Sequence, residues 1–274
     1  MLSTTFHPRV AVSGMSSVRW SLQEDLAFYS SAAISAAGIT MRKLAKDAGG
    51  IEKIGAAELR VSSVLAATVR VSFIAPEDDA DSPLEALRPS IEVSRSLGHA
   101  PCYFQAGPAP SRMASDDAYA LLVPAIAPAV AYARDQGVRL AIETSSTSTR
   151  DIGFIHSLAD AVELSRDADV DICLELQNCW FDCQLRRLFR ENVDRFALVQ
   201  VNDFKVGEPA RLNRCVPGDG DMPVEWLLGE LLDAGYSGQF ELEVLGPRIE
   251  EEGYESAITR GLDWISERLD RWGA

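Results

Sequence analysis

The chain contains few histidines and few cysteines. Its 274 residues include only three histidines, at positions 7, 99 and 156. The five cysteines show no CxxC pair and no zinc-finger spacing, standing at positions 102, 173, 179, 183 and 215. The sequence therefore predicts no structural zinc cluster. An odd number of scattered thiols is instead typical of reduced cysteines in a cytoplasmic protein.

The sequence also lacks long hydrophobic runs and an excess of basic residues. No apolar stretch reaches the roughly 18 residues that a membrane span needs, and the opening "MLSTTFHPRV" lacks the regions of a signal peptide. Lysine and arginine number 26 against 41 aspartates and glutamates, a formal charge of −15. This charge repels phosphate backbones and anionic lipid, so we expect neither nucleic acid nor a membrane as a partner.

Short apolar runs alternate with longer helical patterns along the whole chain. Eight of these runs are predicted strands: "RVAVSG", "GITMRKL", "LRVSSVL", "PCYFQAG", "VRLAIE", "VDICLEL", "FALVQVND" and "GQFELEVLG". Eight such units, in a chain that is 47% hydrophobic, predict an α/β fold, a (β/α)8 TIM barrel forming a single domain over residues 1–274. An open doubly wound sheet is the alternative, but its GxGxxG fingerprint is absent.

The predicted helices have recognisable ends and faces. In "DMPVEWLLGELLDAGY", Pro223 fits the first helical position and the leucines form one apolar face. The closing segment "YESAITRGLDWISERLDRW" repeats that pattern. The segment "LLVPAIAPAVAYARDQG" contains Pro124 and Pro128, and an interior proline costs about 3 kcal/mol, so we expect a break or kink there.

Polar residues stand on the inner faces of four consecutive predicted strands. Side chains alternate across a strand, and the large apolar residues should meet the helices. In "RLAIE" and "ICLEL" this alternation turns Glu143 and Glu175 inward, and in "LVQVND" and "QFELEV" it turns Gln200 and Glu243 inward. We therefore expect these four side chains to meet at the open end of the barrel.

Three carboxylates and an amide oxygen form a hard ligand set. Clustered carboxylates repel one another, so some positive group should neutralise them. An oxygen-only set suits Mg²⁺ or Mn²⁺ better than zinc. The alternative is that the glutamates pair with inward basic groups such as Arg139, or lie at solvated strand ends.

The last third of the chain carries a family resemblance. The segment "NRCVPGDGDMPVEWLLGELLDAGYSGQFELEV" resembles the sugar phosphate isomerase/epimerase family, the xylose isomerase-like TIM barrels. The resemblance implies metal positions at Glu143, Glu175, Gln200 and Glu243. It also implies proton exchange with substrate by Glu143 and Glu243, and substrate binding by Arg214.

Two departures from the family pattern concern histidine. Where the family commonly has Asp, two residues and then His, this chain has Glu175 and Asn178. We assign Asn178 to substrate binding. Where the family has "HxKD", this chain has Gln200, with Asp203 at the final position. Without imidazole, either a metal is held by oxygen atoms or the site works without one. The family's endonuclease branch, which depends on a histidine-rich zinc cluster, is excluded for the same reason.

These features lead to three competing hypotheses. The first is a divalent-metal-assisted isomerase or epimerase that removes a proton next to the carbonyl of a ketose or keto-sugar. The second is a dehydratase or lyase of an oxidised sugar or ring compound, which begins with the same proton abstraction. The third is a barrel without catalytic activity that serves as a subunit. In the first two the partner is a small polyol-like molecule, and a homo-oligomer is compatible with all three.

Overall fold

Eight parallel strands close into a barrel, each paired with its neighbours in chain order and the last with the first. The computed structural model describes residues 6–74, 82–210 and 212–274. The strands are β1 (Val10–Ser13), β2 (Ala36–Thr40), β3 (Arg60–Leu65), β4 (Cys102–Phe104), β5 (Leu140–Glu143), β6 (Asp171–Glu175), β7 (Phe196–Val201) and β8 (Phe240–Leu242). The predicted TIM barrel is confirmed.

Helices cover the outside of this barrel. They are α1 (Leu22–Ser31), α2 (Met41–Leu44), α3 (Gly50–Ala56), α4 (Pro83–Ser96), α5 (Ser115–Asp135), α6 (Leu158–Ala168), α7 (Leu185–Asn192), α8 (Val224–Asp233), α9 (Pro247–Glu252) and α10 (Tyr254–Trp272). Short 3-10 helices follow β5 and β6 and precede β7, at Thr147–Thr149, Leu176–Asn178 and Val193–Arg195. Within the described residues, no helix is both long and apolar enough to cross a membrane. The first five residues of the N-terminal segment lie outside the described residues.

All eight predicted strands are present, but the second was placed too far along the chain. The predicted run "GITMRKL" extends beyond Thr40, where β2 ends. The Thr40 side chain accepts a hydrogen bond from the backbone N–H of Lys43 and so caps α2. A side chain that satisfies a free N–H of a first helical turn favours helix over continued strand.

The predicted break at Pro124 and Pro128 is wrong, while the kink expected as its alternative stays a prediction. Helix α5 runs without interruption from Ser115 to Asp135 through both prolines. Each proline removes one backbone N–H and leaves the carbonyl four residues earlier without its helical partner. Both prolines are exposed, as is Ala120, so the freed carbonyls lie on the solvent side where water can bind them.

The start of α8 differs from the prediction by one position, since Pro223 is the residue preceding this helix rather than its first.

The predicted alternation of inner and outer faces is confirmed. Ile142, Leu174 and Phe240 belong to the large apolar core between strands and helices. Inside the barrel lies a smaller cluster of buried residues that comprises Leu65, Tyr103, Ala141, Cys173, Ala197 and Leu198. The polar residues discussed below lie on this inner face, so the helix layer holds the barrel together and the interior is free to carry polar groups.

One interior carboxylate, Glu241, is buried below the strand ends. Its Oε2 accepts hydrogen bonds from the hydroxyls of Ser62 and Ser63, at 2.5 and 2.8 Å. Gly38 of β2 leaves the room for it, because a Cβ atom at this position would lie 2.6 Å from Glu241 Oε2 and 2.5 Å from Ser63 Oγ. Such separations are shorter than van der Waals contact, so an alanine at position 38 would force the buried Glu241 or Ser63 side chain to move.

We predict that Gly38→Ala destabilises the protein by about 1 to 3 kcal/mol, the range typical of overpacked interiors. The measurement is the free energy of unfolding in urea. Gly229→Ala is the matched control, because no atom lies within 4 Å of a Cβ at this position inside α8. Alanine is the better helix former there, so the control should gain up to about 1 kcal/mol. Equal stability of Gly38→Ala and the wild type would contradict the close packing around Glu241.

Candidate active site at the C-terminal ends of the strands

The four inward polar residues of the sequence analysis meet at one end of the barrel. Glu143 and Glu175 are the last residues of β5 and β6, and Glu243 follows β8 directly. Gln200 lies opposite Glu175 in the register of β6 and β7. The carboxyl ends of parallel strands share one edge of the barrel, which is where TIM-barrel active sites lie. The structure therefore brings residues from distant parts of the chain to one place.

The three glutamates form a compact, buried triad. One carboxylate oxygen from each lies within 4.8 Å of the others. Their exposed fractions are 7% for Glu143, 0% for Glu175 and 5% for Glu243. Carboxylates so thoroughly removed from water require neighbouring positive charge, hydrogen-bond donors or protonation.

Arg214 supplies the positive charge to this triad. Its Nη1 donates to Glu243 Oε1 at 2.7 Å, and its Nη2 lies 2.9 Å from Glu175 Oε2. The Glu175 contact is an ion pair whose geometry does not meet hydrogen-bond criteria. Arg139, the expected alternative partner, instead pairs with Asp171 at the other end of the strands, at 2.6 Å. The pairing that we expected from Arg139 is thus provided by Arg214.

Arg214 is held in place from two further sides. Its Nε donates to Gln177 Oε1 at 2.9 Å, and its Nη1 also donates to the backbone carbonyl of Glu243 at 2.9 Å. Asp203, which lies just after the end of β7, accepts hydrogen bonds from four backbone N–H groups of the loop that leads to α8, those of Phe204, Gly218, Gly220 and Met222. Asp203 thereby fixes the loop that begins just after Arg214.

The electrostatic balance of the triad remains negative. Three carboxylates and one guanidinium leave two formal negative charges. Burial, followed by the charges of Glu243 and Glu175, raises the pKa of Glu143 well above its ordinary value. Burial is also the main cause that raises the pKa of Glu175 to about 7, against the opposing attraction of Arg214. The site therefore favours a bound cation or a proton.

Amide side chains surround the carboxylates. Gln200 Nε2 donates to Glu243 Oε2 at 2.6 Å and to the hydroxyl of Tyr103 at 3.0 Å, while Gln200 Oε1 is buried without a partner in the described structure. Gln105 Nε2 donates to Glu143 Oε2, and Ser13 Oγ donates to Glu243 Oε2 at 2.9 Å. Sequence reasoning missed Tyr103, Gln105 and Ser13. The signal was available, because Gln105 and Ser13 stand at the ends of β4 and β1 as the glutamates do at theirs.

A cavity of about 640 Å³ opens above these residues. Glu143, Glu243 and Arg214 line it, whereas Glu175 and Gln200 lie behind them and do not. Asn178, expected to bind substrate, also lines the cavity, and its Nδ2 donates to the carbonyl of Thr144 at 2.7 Å. Glu143 and Glu243 are thus placed to contact a ligand, whereas Glu175 and Gln200 are placed to support them.

The loop after β5 adds hydroxyl groups to the cavity wall. Thr144 and Ser145 line the cavity and are 0% and 4% exposed. Their hydroxyl oxygens, and Oε1 of Gln105, have no hydrogen-bond partner within the described residues. Buried polar groups are almost always hydrogen-bonded in the functioning protein. These three atoms are thus buried polar groups that lack a partner, and they belong to residues of the cavity wall.

The triad fits a divalent cation. Its oxygens lie close enough to share one ion, and its residual charge of two negatives is what such an ion would balance. Gln200 Oε1 has no hydrogen-bond partner within the described residues and could be a further metal ligand. In the present orientation of the amide, however, Nε2 is the atom that faces Glu243. A reversed amide would present the oxygen instead. This set of ligands contains oxygen only, which suits Mg²⁺ or Mn²⁺.

Comparison with known families identifies the chain. Residues 27–268 match the sequence profile of the family described as xylose isomerase-like TIM barrel. The chain belongs to this family. The resemblance seen in the last third of the sequence is thereby confirmed, and the match to the family covers most of this chain.

Solved structures show the same fold at low sequence identity. Protein SMc04130 from Sinorhizobium meliloti 1021 superposes with a TM-score of 0.84 and 18% identity, over 96% of this chain and 98% of its own. The IolI protein with a binding zinc atom superposes with a TM-score of 0.80 and 14% identity, over 96% of this chain and 98% of its own. D-allulose 3-epimerase from Methylomonas sp. gives 0.69 and 16%, over 97% and 100%. Comparison with curated protein sequences finds no significant match.

We predict that the metal-free protein loses stability as the pH rises from about 4.5 to 7. Burial raises the pKa of Glu175 and of Glu241 from 4.5 to about 7 in each case. A carboxyl group whose pKa is higher in the folded state stabilises the fold below the unfolded pKa, and this contribution is lost as the pH rises towards the folded pKa. For Glu241 alone the loss is on the order of 3 kcal/mol. Urea unfolding at several pH values in the presence of a chelator measures it.

The variant Glu241→Gln separates the contributions to this pH dependence. It should flatten the slope between pH 4.5 and 7 and should be more stable than the wild type at pH 8. A slope that is unchanged in Glu241→Gln would show that this carboxyl titrates at an ordinary pH.

Proposed function

We propose that this protein is an isomerase or epimerase that acts on a ketose or keto-sugar by proton transfer at the carbon next to the carbonyl. The observation that carries the proposal is the position of Glu143 and Glu243. Both line the cavity, they come from non-adjacent strands, and each contributes an oxygen that lies within 4.8 Å of the other. D-allulose 3-epimerase, one of the structures with this fold, is named for a reaction of this kind.

In this proposal the two glutamates perform the proton transfers. One carboxylate removes the proton from carbon and the other returns it, so that a stereocentre can be inverted when they act from different faces. A positioned carboxylate contributes typically about 10²- to 10⁴-fold by general acid/base catalysis. Hydrogen bonds from Arg214, Gln200 and Ser13 orient the Glu243 carboxylate, and Gln105 orients Glu143.

We assign a divalent cation, Mn²⁺ or Mg²⁺, to the triad as cofactor. Glu143, Glu175 and Glu243 would hold it, with Gln200 as a fourth ligand through Oε1 once its amide is reversed, an arrangement that would replace the hydrogen bond from Gln200 Nε2 to Glu243. When bound, such an ion polarises a substrate carbonyl and lowers the pKa of the neighbouring C–H. The IolI structure is described with a zinc atom, but this chain offers no imidazole or thiolate in the triad, and carboxylates favour the harder ions.

The remaining polar groups of the cavity bind the substrate. Arg214 and Asn178 line the cavity beside the triad, and so do Thr144 and Ser145, whose hydroxyl oxygens have no protein partner within the described residues. Hydroxyl, amide and guanidinium groups are suited to the many oxygens of a polyol-like substrate. Positioning by these groups supplies the orientation that proton transfer requires.

We predict that Glu143→Gln and Glu243→Gln each reduce proton exchange at least about 100-fold, because glutamine cannot accept the proton. The assay is incorporation of solvent deuterium into the carbon skeleton of a panel of ketoses, followed by mass spectrometry. Glu58→Gln is the matched control, since Glu58 is an exposed glutamate between α3 and β3, at the opposite end of the barrel.

The same experiment distinguishes the possible outcomes. Exchange with a product of unchanged mass supports the isomerase or epimerase, whereas loss of water or carbon–carbon cleavage indicates a lyase. Full activity in either glutamine variant would overturn the proposed roles.

We further predict that Mn²⁺ binds to the metal-free protein and that Glu175→Gln weakens this binding at least about ten-fold, because one anionic ligand becomes neutral. Isothermal titration calorimetry measures both affinities. Glu58→Gln again serves as the control with the same change of charge. An affinity that is equal in the wild type and in Glu175→Gln would contradict the metal assignment, whatever the catalytic result.

A further inference from the structure

Two cations without carboxylate partners stand beside the catalytic cavity of this acidic protein. Arg42 and Lys46 follow β2, on the same end of the barrel as the glutamate triad. Within the described residues, neither forms an ion pair with a carboxylate, although the chain carries a net charge of −15. Most arginines of the structure are paired with aspartate or glutamate. The two groups are therefore candidates to bind an anion from solution.

Arg42 lies at the boundary between two cavities. It lines the catalytic cavity that also contains Glu143 and Glu243, and it lines an adjoining cavity of about 330 Å³ together with Lys46 and Trp20. Its guanidinium makes one long hydrogen bond, from Nη2 to the carbonyl of Val18 at 3.4 Å. Most of its N–H donors thus remain available to a ligand.

The carboxylates that line the adjoining cavity already have other partners. Glu250 accepts two hydrogen bonds from Arg19, each of 2.7 Å, and Asp47 pairs with Lys53 at 2.5 Å. These pairs cancel their own charges, so the net charge of the cavity comes from Arg42 and Lys46.

The buried lysine of this region is also compensated. Lys43 pairs with Asp25 at 2.6 Å, and Ser17 Oγ donates to the same carboxylate at 2.6 Å. Lys43 therefore fixes the loop after β1 against α1 and contributes no free charge. A local excess of positive charge on an acidic protein attracts an anionic ligand to that place.

We propose that the substrate carries an anionic group, a phosphate or a carboxylate, which binds to Arg42 and Lys46 while the reacting carbons lie between Glu143 and Glu243. This inference rests on the proposed function and narrows its substrate class to anionic ketoses. A planar guanidinium binds such a group through two parallel hydrogen bonds, and an ammonium group adds a second charge. Thr144 and Ser145, which are uncharged and line the same cavity, then lie beside the uncharged part of the substrate.

Inorganic phosphate is the first probe, because it requires no particular sugar configuration and no turnover. We expect the chelator-treated protein to bind phosphate, with a signal from the fluorescence of Trp20, and we expect Arg42→Gln to weaken binding about ten-fold or more. Binding should also weaken with ionic strength. Arg95→Gln, an exposed position on α4 with the same change of charge, should bind as the wild type does.

Three ketoses then identify the anionic group. D-fructose, D-fructose 6-phosphate and D-fructuronate are titrated into the wild type and Arg42→Gln. Tighter binding of the phosphate ester or of the uronate, lost in Arg42→Gln, supports the proposal and names the group. Equal binding of all three ketoses overturns it, as does phosphate binding that is absent or insensitive to Arg42→Gln.

Repeating the phosphate titration in Glu143→Gln separates this proposal from the proposed function. Phosphate binding that persists there and still depends on Arg42 supports the anion site by itself. If no ketose exchanges deuterium while that dependence holds, the isomerase assignment fails and the anion site stands.

Discussion

The contact between Arg214 and two buried glutamates is the interaction on which the rest of the site depends. Removing three carboxylates from water is unfavourable unless charge or hydrogen bonds replace the water. Arg214 provides one positive charge, to Glu175 and Glu243, and the amides of Gln200, Gln105 and Asn202 supply donors to the triad. This partial compensation keeps the carboxylates together and still leaves them with two negative charges. The unbalanced charge is what gives the site its capacity for a cation and for protons.

The barrel can contain this charged arrangement because a different layer, the apolar core between strands and helices, stabilises the fold. Ile142, Leu174 and Phe240 face outward into this core. The inner face is therefore free to carry polar groups, including Glu241, whose Oε2 accepts from two serine hydroxyls. Where the strands end, the same inner face opens to the cavity, so the change from core to active site occurs within one strand.

Glutamine at position 200 changes the chemistry of a position where the family has histidine. An amide keeps a donor nitrogen with two N–H groups and an acceptor oxygen, but it loses the titration near neutral pH that imidazole offers. Gln200 uses its donor to hold Glu243 and Tyr103, and its oxygen is buried without a partner. In the proposed reaction, proton transfer would therefore rest on carboxylates, which agrees with the two glutamates that line the cavity.

Local sequence patterns determined the strands, their inner and outer faces and the inward direction of the polar residues, because side-chain alternation depends on neighbouring positions alone. From these the barrel was predictable, and the family was predictable from the resemblance of residues 213–244 to its members; the structure and the family match confirm both. The partner of the triad was not predictable from local pattern. Arg139 precedes β5 and Arg214 lies in the loop between β7 and α8, and only the folded chain shows that Arg139 pairs with Asp171 and Arg214 with Glu175 and Glu243. The uninterrupted course of α5 through two prolines was likewise decided by the tertiary structure, since the cost of a missing N–H depends on whether the freed carbonyl faces water or core.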